Sequence, residues 1–344
     1  MFMKFFRFLL FPLAILYDLV TRIRNFLFDV KFFKQTSFSI PVIVVGNLSV
    51  GGTGKTPQIE YLIRLLNNQF KIAILSRGYK RQTKDFLKVN SSHTAIEVGD
   101  EPLQFFKKFK DISVYVDTNR AEGIKKILKQ NSVEILLLDD AFQHRKVKGS
   151  FYILLTKLDD LFVNDYLLPT GNLRESRRGA KRANAIIVTK CTDDLTENQQ
   201  EIIRNKMKNY SKNVFFTTIY YAKSLSGNKS ILVEDLKNYE VLLLTGIANP
   251  GSLLYFLDSK KVNYHHLNYP DHYHFSSNDI ENIQLKFDAL KGLQKIILTT
   301  EKDFVRLNSF LKNSYFIEIE TTFLGNQKVQ FDNLILSHIN SLNH

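Results

Sequence analysis

Residues 44–63, VVGNLSVGGTGKTPQIEYLI, pass from an apolar run through a glycine-rich turn into an amphipathic stretch. No other feature limits the fold as much, because a strand, a turn ending in Gly-Lys-Thr and a helix together make a phosphate-binding loop. Gly51, Gly52, Thr53 and Gly54 offer backbone N–H groups that converge on phosphate oxygens. The helix opening near Lys55 adds its N-terminal partial positive charge. Lys55 is expected on the β- and γ-phosphates of a nucleotide, and the Thr56 hydroxyl on Mg²⁺. The common loop, G-x-x-x-x-G-K-[ST], has glycine where this chain has Ser49. Ser49 must therefore hold a conformation open to a side chain, eased by the Gly51-Gly52 pair that follows.

Such a loop needs an acidic partner for its metal. The apolar run Ile135–Leu138 ends in Asp139-Asp140, two carboxylates at the end of a strand, where the ligand crevice of a parallel sheet opens. Gln143 and His144 follow in a supporting role. Further strand-like runs lie at 42–45, 72–75, 113–116, 152–155 and 185–188, with helices at 57–67 and 120–129. Strands alternating with helices mean βαβ units and a mostly parallel sheet. With the loop, this makes residues 41–215 a P-loop NTPase-like α/β/α sandwich. A second series, at 214–219, 241–244, 261–267, 295–298 and 315–319, places a smaller α/β domain over 216–344. No Pro/Gly-rich linker marks the boundary.

Residues 1–40 form a separate N-terminal segment. Its longest uncharged run is Phe8–Tyr17, well short of the roughly 20 apolar residues a spanning helix needs. On a helix, Phe2, Phe5, Phe6, Leu9, Leu13, Leu16, Val20, Ile23 and Leu27 share one side. Lys4, Arg7, Asp18, Arg22 and Asp29 fall on the other, and Pro12 should kink or split the helix. Lys4 and Arg7 before an apolar run also suit a signal peptide, but no small-residue cleavage site follows. A net-basic amphipathic helix rich in phenylalanine fits the surface of a membrane with anionic lipids. Packing on the protein's own core is the alternative. The net charge of +13 favours anionic partners in general. A single cysteine, Cys191, excludes an internal disulfide.

Eight segments extend the picture: VVGNLSVGGTGKTP, LSRGYKR, VGDEP, LLLDDAFQHR, LLPTGNLRES, TGIANP, YPDHYHF and TTEKDFVRL. In this order they resemble the tetraacyldisaccharide 4′-kinases, the lipid A 4′-kinases of Gram-negative bacteria, from the N-terminal helix to about Arg306. Loops of this family look like SVGGTGKTP, which accounts for Ser49. The resemblance implies ATP and Mg²⁺ as cofactors. The acceptor would be the 4′-hydroxyl of an acylated glucosamine disaccharide 1-phosphate, a lipid reached from the cytoplasmic face of the inner membrane. It implies Asp100, in VGDEP, as the catalytic base, since an attacking sugar hydroxyl needs a proton acceptor. It implies His272, in YPDHYHF, as the partner that tunes this base, and Lys55 beside them. Asp139 and Asp140 match the metal-side pair, and Glu175, in NLRES, an acidic position near metal and phosphates.

Read without the resemblance, Asp100 before Glu101-Pro102 also suits a helix N-cap. Five basic residues, Arg174, Arg177, Arg178, Lys181 and Arg182, surround Glu175. ATP phosphates, the substrate's 1-phosphate and lipid head groups are all candidate contacts for them. Arg77 and Arg120 are further candidates. The chain departs from the family at Ala141, where glycine is expected, and at Asn172 and Ser176, where prolines are. These changes loosen two turns and leave the charged residues in place. His272 in the second domain and Lys55 in the first imply that the domains close over the site. A membrane-bound NTP switch shares the loop and helix but has no use for an Asp100–His272 dyad. Nothing in the sequence matches a nucleic-acid recognition motif, so no nucleic-acid partner is expected.

Overall fold

The computed structural model describes residues 7–130, 132–307 and 310–342. Phe2, Lys4, Phe5 and Phe6 of the N-terminal helix reading lie outside the described residues. The strands are β1 Val42–Asn47, β2 Ile72–Ser76, β3 Leu87–Lys88, β4 Ser113–Val116, β5 Ile135–Asp139, β6 Phe151–Lys157, β7 Ala185–Thr189, β8 Val214–Gly227, β9 Ile231–Leu232, β10 Glu240–Thr245, β11 Asn263–Asn268, β12 Lys295–Thr300 and β13 Ser314–Phe323. They join in one sheet, ordered β11-β10-β12-β13-β8-β7-β6-β1-β5-β2-β4-β3, with β9 beside β8. Two parallel series make up this sheet. They meet at β8, whose first residues pair parallel with β7 and whose remainder pairs antiparallel with β13.

β1, β2, β5 and β7 are buried at every position, because helices cover both faces of a parallel sheet. On one face Ile43 and Val45 pack with Ile59, Leu62 and Leu66 of the helix Lys55–Leu66. Phe331, Ile335 and Ile339 of the last helix, Gln327–Leu342, return to this same core. On the other face Val44, Leu75 and Leu138 pack with Ile124 and Ile127 of the helix Arg120–Gln130.

The two halves also meet through charge. Lys108, at the end of the helix Asp100–Lys108, lies 2.7 Å from Glu301, 2.9 Å from Glu60 and 3.0 Å from Glu318. Burial and the charge of Glu60 outweigh the pull of Lys108 and push the Glu301 carboxyl up to about 7. Burial likewise raises Glu60.

The N-terminal helix runs from Phe11 to Asp29 after a break at Leu10. Pro12 lies in its first turn, where a missing N–H is tolerated. The residues it buries, Ala14, Thr21 and Phe28, are spaced by seven. Its apolar stripe points away from the body: Leu9, Leu13, Leu16, Val20 and Ile23 are 51 to 65% exposed. The protein's own core therefore does not cover the stripe. Polar contacts hold the other side. The Tyr17 hydroxyl donates to the Arg174 carbonyl at 2.8 Å, Asn25 donates to Glu175 at 2.9 Å, and Arg145 pairs with Asp29 at 2.7 Å. Among the described residues no helix is long and apolar enough to cross a membrane.

Candidate active site

The loop after β1 is shaped as Ser49 requires. Gly51 and Gly54 take the left-handed backbone, with φ of 103° and 84°, while Ser49 does not. Ser49 is buried, and its carbonyl accepts a 2.6 Å hydrogen bond from Asn47. The Thr53 carbonyl accepts from the Thr189 hydroxyl at 2.9 Å, which ties the loop to the end of β7. The parallel register sets Val45 beside Asp139, so β5 delivers its carboxylates next to the loop. β2 ends at Ser76, whose hydroxyl donates to Asp139 at 3.0 Å.

Asp140 follows in a left-handed conformation, φ 46°, which a non-glycine residue holds only where its surroundings impose it. Its carboxylate lies 3.7 Å from the Lys55 ammonium and accepts from Arg174 at 2.9 Å. The two neighbouring carboxyls are driven apart. Burial, then the charges of Glu101 and Asp140, push Asp139 up to about 6. Burial acts in the same sense on Asp140, but Lys55 and Arg174 overcome it and hold that group at about 2.

Asp100 belongs to another element and is buried beside the cavity that these residues line, not on its lining. The N-cap of its helix is Gly99 (φ 93°), so Asp100 is the first helical residue and its side chain is not the cap. That buried carboxylate instead meets Nδ1 of His272 at 2.7 Å. His272 also holds a left-handed backbone, φ 59°. Burial works to raise Asp100, but the bond to His272 and the charges of Arg306 and Lys302 prevail and leave it below the usual carboxylate range. Lys302 donates to the other ring nitrogen of His272 at 3.0 Å.

A cavity of about 590 Å³ lies between these walls. Ser49, Gly51, Gly52, Lys55 and Thr56 line it with Asp139 and Asp140, and His272 and Lys302 face them. A second, largely apolar slot of about 210 Å³ borders Gly52, Gly54 and Thr56 and is walled by Ile219, Tyr221, Leu253 and Ile317. Among the described residues no group of three or more His, Cys, Asp or Glu side chains gathers as a metal cage. Glu175 stands outside the cavity. It is buried and accepts from Asn25 at 2.9 Å, Gln143 at 3.0 Å and Arg182 at 2.8 Å. Of the five basic residues around it only Arg174 reaches the cavity. Arg177 donates to the Asp165 carbonyl at 2.7 Å, and Arg178 and Lys181 are exposed.

The family profile described as LpxK, tetraacyldisaccharide-1-P 4′-kinase, matches residues 6–340. The chain belongs to this family. It is 54% identical to the tetraacyldisaccharide 4′-kinase of Flavobacterium psychrophilum, covering 98% of each chain. It is 42% identical to that of Bacteroides thetaiotaomicron, covering 96% of this chain and 92% of the relative. Among solved structures, LpxK from Aquifex aeolicus in complex with ATP superposes with a TM-score of 0.78 at 31% identity. That match covers 97% of this chain and 99% of the other. The α/β reading and the kinase reading of the sequence both stand on these matches.

The segment TTEKDFVRL holds a lysine and an arginine to which the sequence alone gives no role. Lys302 and Arg306 both contact the Asp100–His272 pair. The available signal was their four-residue spacing on a short helix after a strand end, which sends both side chains the same way.

Proposed function

We propose that this chain carries out its family's reaction with Asp100 as the proton acceptor. The γ-phosphoryl group of ATP passes to the 4′-hydroxyl of an acylated glucosamine disaccharide 1-phosphate. The observation that carries the reading is the 2.7 Å bond from buried Asp100 to His272, whose ring lines the same cavity as Lys55. An ionised carboxylate there accepts the hydroxyl proton as the oxygen attacks, and His272 orients it. Lys55 and the loop N–H groups hold the phosphates and offset the charge that develops on them. The apolar slot beside Gly54 accommodates a flat base.

Thr56, Asp139 and Asp140 fit a hard cation. Two carboxylates and a hydroxyl would supply part of an oxygen shell for such an ion, and among the described residues buried Asp139 forms no ion pair of its own. Mg²⁺ held there would neutralise charge on the transferring group. Glu175 takes part through Gln143, whose amide it orients at the cavity edge. The N-terminal helix lies on the cytoplasmic face of the inner membrane, its exposed stripe among acyl chains and anionic head groups around its basic residues. His272 already bridges the two halves through Asp100, so closure as substrates bind narrows the cavity around it and does not deliver the ring.

The test is transfer from γ-labelled ATP to acylated glucosamine disaccharide 1-phosphate in detergent micelles with Mg²⁺, beside Lys55→Ala. Label should appear on the lipid and vanish in the variant. Label released only as free phosphate would overturn the reading in favour of an NTP switch.

A further inference from the structure

The helix Glu301–Leu307 reaches the cleft from the second half of the chain. Arg306 leaves it nearly buried, donates to the Tyr273 carbonyl at 2.9 Å, pairs with Asp303 at 2.8 Å and stands 3.6 Å from Asp100. It thereby holds the turn that carries His272. Lys302, one turn earlier, has its ammonium 3.0 Å from Nε2 of His272, 3.2 Å from Glu101 and 3.6 Å from Asp271.

These contacts fix the protons on the ring. An ionised carboxylate only accepts, so Nδ1, 2.7 Å from Asp100, carries hydrogen. An ammonium group only donates, so Nε2 carries none. A second proton would set an N–H against an ammonium at 3.0 Å, like charge against like. We propose that Lys302 is a positioning residue that keeps His272 neutral, as the Nδ1–H tautomer, and so preserves the basicity of Asp100. The inference rests on the reading of Asp100 as proton acceptor. An imidazolium in contact with Asp100 would stabilise its carboxylate and weaken it as a base. Lys302 moves the positive charge one ring's width away. The other groups facing the imidazole are Asp271, 3.9 Å from Nε2, the Tyr79 ring with centroids 5.0 Å apart, Arg306 behind Asp100, and Glu101 beside Lys302.

The experiment is a pH titration of the full chain with ¹⁵N-labelled histidine, the His272 signals being assigned with His272→Gln. At pH near 7 the unaltered protein should show Nδ1 protonated and Nε2 bare. In Lys302→Met the ring should titrate about one pH unit higher, a roughly tenfold gain in proton affinity. The acid limb of kcat against pH should move up with it, and Lys302→Arg should restore part of the shift. An imidazolium or Nε2–H ring in the unaltered protein would overturn the proposal, and this decides the matter even if Lys302→Met does not fold. So would an unmoved titration in Lys302→Met with the change confined to KM for ATP, which would make Lys302 a phosphate contact. The tautomer is read without substrate. A chain with the expected ring that fails to label the lipid would therefore overturn the functional reading and leave the tautomer assignment standing.

Discussion

Replacing Lys108 with methionine removes the cation shared by Glu60, Glu301 and Glu318 at the junction of the two halves and leaves Arg64, 3.3 Å from Glu60, as the remaining partner of that carboxylate. The side chains of Glu60 and Glu301 are only 2% and 10% exposed. Breaking a buried ion pair at one partner costs about 3–5 kcal/mol, and here one cation serves three acids. The loss should depend on pH. Burial has already raised Glu60, and pushed Glu301 to about 7. Folded values above the ordinary one mean that the protonated acids favour the folded state. For Glu301 this contribution is complete below about pH 4.5 and is lost as pH rises through about 7. Without Lys108 both values climb further, and each added unit returns about 1.4 kcal/mol to the variant at acid pH. Urea unfolding of both proteins at pH 5 and pH 8 tests this. The stability gap should be about 3–5 kcal/mol at pH 8 and less than half that at pH 5. Equal gaps at the two pH values, or a gap under about 1 kcal/mol at pH 8, as for a surface pair, would refute the reasoning.

Asp100→Asn should lower turnover by about 10²-fold or more while a fluorescent ATP analogue still binds; full activity would remove Asp100 from the chemistry. Asp139, at about 6, is ionised above that pH, and a metal ligand must be ionised to bind. Calorimetric titration of an ATP analogue with Mg²⁺ should therefore show affinity falling as pH drops through about 6, and Asp139→Asn should flatten that dependence. Leu16→Glu with Ile23→Glu alters two residues that are 59% and 51% exposed, so stability should stay within about 0.5 kcal/mol per site. Sedimentation with anionic vesicles should be lost, and undiminished sedimentation would count against the membrane reading.

Much of this was legible in the sequence because the local signals agree. The continuous apolar runs of β1, β2 and β5 read as buried strands, and the ends of β1 and β5 delivered the loop and Asp139-Asp140 without long-range information. What stayed hidden depends on contacts between distant segments. The basic cluster near Glu175 reads as phosphate-binding residues until the fold assigns Arg177 and Arg182 to structural partners. Glu175 reads as a metal-side acid until Asn25, Gln143 and Arg182 are seen to occupy it. No periodicity in 327–342 says that Phe331 stacks on Phe323 of β13 and meets Phe215 of β8 edge-on. The N-terminal helix was legible as amphipathic, but only its polar clamps show which side faces outward.

Asp140 and His272 share a left-handed backbone, and this governs how the site can be taken apart. Among side-chain-bearing residues, Asn, Asp and His enter that conformation most readily, and β-branched residues scarcely at all. Asparagine at either position therefore removes the charge or the ring while leaving the turn intact. Valine or threonine would strain the turn itself, and any lost activity would report on the backbone instead of the chemistry. Glycine would relax both turns and let them wander. A scan that ranks these two positions by side-chain chemistry alone would thus misjudge them: each is specified twice, once by what it reaches and once by the path its own main chain must take.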